Sequence, residues 1–180
     1  MTRRSPFLRG ALAWLTGDDG IERCVACGFE WSLGADAALA LIADAPPVYA
    51  RMLDGRDGMV PAADGGWNAT AYLWHLIDLA RSWSERWAQL AAAPGSLLVG
   101  WDPDALADAR AYRALPTASA LWALPVAAEG FVSLSAALPA STPFLHGDWG
   151  EGTASDAARW LAHEFRHHQI DVAERAGPAS

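Results

Sequence analysis

Four long stretches of this chain space their apolar residues three and four apart, and no stretch alternates Val, Ile or Thr with polar residues. That pattern predicts mostly helix and almost no strand. The first helix is expected over Ala35–Leu53, with Pro46 and Pro47 kinking or splitting it because each lacks an N–H and crowds the preceding turn. The second starts from Asn68, a good N-cap, and reaches about Ala92; Tyr72, Leu76, Leu79, Trp83 and Leu90 share its apolar arc. The third is expected over Thr117–Leu138 with a kink at Pro125. The fourth starts after Thr153 or Ser155, runs to about Ala176 and stops at Gly177-Pro178. Residues 54–66 read as a loop by their Gly, Asp and Pro content, and "APGSLLVGWDPDALADARAYRALP" as an irregular crossover with one short helix. The fold class is therefore all-α, a four-helix bundle over residues 34–180 with a long crossover between helices two and three. Residues 1–33 form an irregular appendage with a C-x-x-C turn.

At 180 residues the chain is one domain long, and 52% hydrophobic with 19% charged residues is a globular profile. Its basic residues are 13 arginines, and the net charge is −8. That balance argues against nucleic acid or an anionic membrane as partner. Arg3-Arg4 is followed by Pro6 and then only a short apolar run, which is not an export signal, and no apolar run near 18 residues stands out. Cys24 and Cys27 make no disulfide framework, so a reducing, cytoplasmic setting is expected.

The densest chemistry lies in "RWLAHEFRHHQIDV", residues 159–172. Its His163-Glu164-x-x-His167 matches the zinc-protease signature. Only thirteen residues follow His167, and Glu174 among them lies on the same helix, too close to serve as the usual third ligand. On a helical wheel Ala157, Leu161, Phe165, His168 and Val172 share one arc, with Glu164 at its edge. His163 and His167 fall on the side of Arg159 and Glu174, which prefer water, at or beyond the edge of any site. Glu164 and His168 thus form an inward pair one turn apart, which is costly to bury unless something neutralises it. A divalent metal would do so. His75, at the edge of the second helix's arc, is the third ligand candidate, giving two nitrogens, one oxygen and an open position.

A histidine in a "W-H-L-x-D" context followed by a late "H-E-x-x-H-H-x-x-D-[I/V]" helix resembles the DinB/YfiT-like superfamily of metal-binding four-helix bundles, over roughly residues 35–176. The ligand type resembles that of the mycothiol-dependent maleylpyruvate isomerase branch, whose late pair is E-x-x-x-H. The resemblance implies a metal held by His75, Glu164 and His168, with Asp171 as the polar residue three positions beyond the last ligand. The alternative register uses His163 and His167. It also implies zinc, or else nickel or iron, and a low-molecular-weight thiol of the mycothiol type activated for S-transfer or isomerisation. The partners implied are a small-molecule substrate and a thiol, acting on a monomer or homodimer. A non-catalytic metal-binding bundle, acting as an interaction or sensing module, is the other reading.

Other features read as structural. "CVACGF" is half of a zinc knuckle with no second cysteine pair, hence a reduced turn. His146 reads as structural or surface, the ten tryptophans mostly as core, and "WDPDALADAR" as capping and solvated surface because it lacks a calcium loop's glycine turn and closing glutamate.

Overall fold

The computed structural model describes residues 22–178. Five α-helices are present among them: α1 Ala35–Met52, α2 Ala69–Ala92, α3 Pro103–Ala109, α4 Thr117–Ala136 and α5 Ala154–Arg175. The four long ones form the expected bundle, and α3 with a 3-10 turn at Tyr112–Ala114 lies in the crossover. Residues 1–21 of the appendage, including the stretch weighed as an export signal, lie outside the described residues.

The helices pack as α2 on α4, α4 on α1, α1 on α5 and α5 on α2. Hence α5 lies between α1 and α2. Tyr49 of α1 donates its hydroxyl to the Phe165 carbonyl at 2.7 Å, and α2 brings His75 to the same helix. Both ends of α5 are pinned. Thr153 and Asp156 form a reciprocal capping box at its start, and Arg175 makes a two-pronged bond to Asp64 near its end, 2.7 Å in each prong. Asn68 caps α2 by accepting from the Ala71 N–H at 2.9 Å. Buried Asp78, one turn beyond His75, accepts from Arg110 and Tyr112 and so ties the crossover to α2.

Three features add to the picture drawn from the sequence. First, Pro46 and Pro47 do not split α1, which continues through both, as α4 continues through Pro125. The missing N–H groups forfeit a few helical bonds, which burial of Ala45, Pro46 and Tyr49 offsets. Second, strand is confined to three short pieces among the described residues, in keeping with the expectation of almost none. β1 Leu97–Leu98, β2 Pro143–His146 and β3 Gly150–Thr153 form a small sheet, β1 parallel to β2 and β2 antiparallel to β3. The hairpin turns at Gly147–Trp149, and Gly150 takes the left-handed φ of 82° that a short turn of this kind favours. Third, α4 is long and apolar enough to cross a membrane by length and composition. Ala120, Ala123, Leu124, Ala127 and Phe131 of α4 are buried, while Trp122, Val126 and Leu134 are exposed.

Candidate functional site

His75, Glu164 and His168 meet between α2 and α5, with one ligand-type atom from each lying within 4.8 Å of the others. The helix spacing puts Glu164 and His168 on one face. Both imidazoles aim Nε2 at the same carboxylate oxygen: His168 Nε2 stands 3.2 Å from Glu164 Oε2, and His75 Nε2 stands 3.6 Å from it. Ligands bound tetrahedrally at zinc–nitrogen and zinc–oxygen distances are about 3.3 Å apart, so this donor set fits a divalent ion.

The electrostatics point the same way. Burial raises the Glu164 carboxyl's pKa, but hydrogen bonding from His163, His168 and His75 outweighs it and holds that pKa well below the ordinary value. Burial lowers the His75 pKa, and Glu164 offsets this only in part, so this ring is neutral. Burial also opposes charge on His168, yet Asp171 and Glu164 together raise its pKa to about 9. The proton they draw onto His168 sits where a cation would compete for the same lone pair. Asp171 Oδ2 is 2.7 Å from His168 Nδ1, which fixes the ring and leaves Nε2 for the site.

Half-buried aromatics form a rim. The Trp67 and Trp101 rings lie 5.1 and 6.2 Å from that of His75, and the Tyr72 ring 5.1 Å from that of His168. Burial and then the charge of Asp171 push the Tyr72 hydroxyl's pKa up to about 12, so it stays protonated and can donate. Glu164 keeps 18% of its side-chain surface exposed, whereas His75 and His168 are buried.

Replacing Asp171 with Asn keeps the shape but removes the charge behind His168. Metal affinity is expected to fall roughly 10–100-fold, read by competition with a chromophoric chelator, and an unchanged affinity would remove Asp171 from the site's support.

His163 and His167 do not join this cluster. They turn to another face of α5 and meet Cys24 and Cys27. The expectation that this face prefers water needs correction, because His163 is only 4% exposed. The segment carrying Phe29 and Trp31 covers it, with ring centroids 5.5 and 4.7 Å from that of His163. The wheel could not show a cover contributed by the appendage. Burial raises the Cys24 thiol's pKa, but hydrogen bonds from the Cys27 N–H and from His163 and His167 outweigh it and bring it to about 6. Cys27 is pushed up to about 11 by burial and by its neighbour Cys24. The signal for this grouping was in the sequence: C-x2-C and H-x3-H are the two halves of a Cys2His2 pattern. A long stretch of chain divides the two halves, so no local window holds both.

His146 is structural. It is buried and stacked 4.1 Å from Trp149, and its Nδ1 accepts from the Asp148 N–H at 3.2 Å. Burial and Arg86 bring its pKa down to about 4, leaving it neutral.

No protein-family model and no curated protein matches this chain. Among solved structures its fold is similar to that of YfiT from Bacillus subtilis, described as a probable metal-dependent hydrolase with an unusual four-helix bundle topology. The two superpose with a TM-score of 0.67 at 17% identity, over 78% of this chain and 86% of the other. At that identity the likeness speaks to the fold, and the fold of this chain is a YfiT-type four-helix bundle.

Proposed function

We propose that this chain is a divalent-metal-dependent enzyme that holds its metal with His75, Glu164 and His168 and activates a low-molecular-weight thiol for S-transfer or isomerisation. The observation that carries the reading is the convergence of two buried imidazole Nε2 atoms on one carboxylate oxygen beneath an aromatic rim. With the His168 proton displaced by the ion, two neutral imidazoles and one carboxylate would leave a divalent ion with net positive charge and an open position, which suits an anionic sulfur. Bound there, zinc, nickel or iron supplies the charge that ionises a thiol at neutral pH.

The chain's own groups do the rest. Asp171 orients His168, and Glu164 supplies the single negative charge. Tyr72 offers a hydroxyl donor at the rim, and Trp67 and Trp101 give an apolar wall for a small substrate. The mycothiol type of thiol and the isomerase chemistry rest on the E-x-x-x-H resemblance. Hydrolysis is the second reading, favoured by the fold's likeness to a protein described as a probable metal-dependent hydrolase.

The test measures turnover of an electrophilic substrate by the zinc-loaded protein, with and without thiol. Turnover is expected to need both metal and thiol and to fall to background in His75→Ala. Turnover without thiol would replace the transfer reading with hydrolysis. Full turnover and full metal content in His75→Ala would place the chemistry elsewhere.

A further inference from the structure

We propose that Cys24, Cys27, His163 and His167 form a second metal site, a closed Cys2His2 zinc centre that clamps the segment before α1 onto α5. This inference stands apart from the proposed activity, since it uses none of the three residues assigned to the first site.

The geometry is the first argument. One donor atom from each of the four residues lies within 4.8 Å of the others. Cys24 Sγ is 3.7 Å from His167 Nδ1. In a tetrahedron with zinc–sulfur and zinc–nitrogen bonds of ordinary length, sulfur and nitrogen are about 3.6 Å apart.

The local backbone is the second. The Cys24 N–H donates to the Phe29 carbonyl and the Gly28 N–H to the Cys24 carbonyl, both at 2.8 Å. Gly28 takes a left-handed φ of 70°, and Arg23 pairs with Glu30 across the base. The result is a tight knuckle that brings both thiols to one side, with the Ala26 and Cys27 N–H groups donating toward Cys24 sulfur. Such a turn has little purpose for two reduced thiols alone, and a tetrahedral ion is what uses it.

Closure is the third argument. Four protein donors fill a tetrahedral ion's coordination. Cys24 and His163 are buried, and the Phe29 and Trp31 rings pack on His163. A site with no open position is structural. Sulfur and imidazole donors in that arrangement select zinc.

The run His163-Glu164-Phe165-Arg166-His167-His168 therefore holds two interleaved pairs, 163 with 167 and 164 with 168. Neighbouring helical residues diverge by about 100°, so each pair addresses its own ion on its own face of α5. The two sites touch where Glu164 Oε1 stands 3.6 Å from His163 Nδ1. A zinc at the knuckle would thus hold α5 in the rotation that presents Glu164 and His168 to His75.

The experiment is metal analysis and cobalt substitution of the full chain kept in reductant. Wild-type protein is expected to bind two ions per chain, and Cys24→Ser/Cys27→Ser one. Cobalt-loaded wild-type protein and His75→Ala should both show the thiolate-to-cobalt charge-transfer absorption, and the double cysteine variant should lack it. Wild-type spectra need no variant to fold. Folded, cobalt-saturated wild-type protein without that absorption overturns the proposal. Zinc-loaded wild-type protein whose two thiols react with a thiol reagent at the rate of free cysteine overturns it as well. If His75→Ala removes every ion while remaining folded, the second site is likewise refuted. If it removes one ion and keeps the absorption, the second site stands, whatever becomes of the activity.

Discussion

Glu164→Ala with His168→Ala is expected to empty the site between α2 and α5 and to leave one zinc with Cys24 and Cys27. His163→Ala with His167→Ala is expected to do the reverse. The argument is angular. The 164/168 pair shares its side of α5 with buried Ala157, Leu161 and Val172, toward His75 on α2. The 163/167 pair faces the knuckle, where Cys24 Sγ lies 3.7 Å from His167 Nδ1. Neither pair can serve the other's ion without turning the helix, and its end anchors at Asp156 and Arg175 oppose that. Removing two of three protein donors should weaken the first site far beyond the roughly 10–100-fold attached to a supporting residue such as Asp171. Removing two of four should open the second. Metal content after equilibrium dialysis against a weak chelator reads both. If the 163/167 variant loses the cobalt signal from nitrogen–oxygen ligands while the 164/168 variant keeps it, the two faces have been exchanged.

The sequence made the bundle readable because apolar spacing is a property of each helix alone. Asn68 marks the start of the second helix, and of the two starts open for the fourth, Thr153 and Ser155, the structure takes Thr153, since a cap is a local bond. What failed was whatever depended on a neighbour. Pro46 looked like a break because its lost hydrogen bond is visible in sequence, whereas its burial in the bundle is not. The strands were too short to show a period; Gly150–Thr153, "GEGT", is a strand only because Pro143–His146 pairs with it. His163 looked solvent-facing because the wheel knew Arg159 and Glu174 but not Phe29 and Trp31. The same blindness left Cys24 and Cys27 as an isolated turn.

Trp83→Ala is expected to destabilise the protein by about 3–5 kcal/mol, the range for truncating a buried large aromatic. Trp83 has no exposed surface. Its ring contacts Trp87 of α2, Phe144 and Trp149 of the hairpin, and Trp160 of α5, with centroids 5.3 to 6.2 Å away. It therefore holds the sheet against the bundle end through rings on all three elements. Its indole nitrogen has no hydrogen-bond partner among the described residues, so the loss is one of ring contacts and a cavity, without a broken polar network. At roughly 2–4 °C per kcal/mol for a chain of this size, the melting temperature should fall by about 6–20 °C. Trp122 is the control. It is 72% exposed on α4, and its truncation should change stability by no more than about 0.5 kcal/mol. Trp83 lies two turns along α2 from His75, so metal content measured well below the transition should be unchanged. Equal melting shifts for the two variants would mean that the hairpin end is not part of the cooperative core. A loss of metal from folded Trp83→Ala would mean that the aromatic cluster sets the position of His75 and is part of how the site is built.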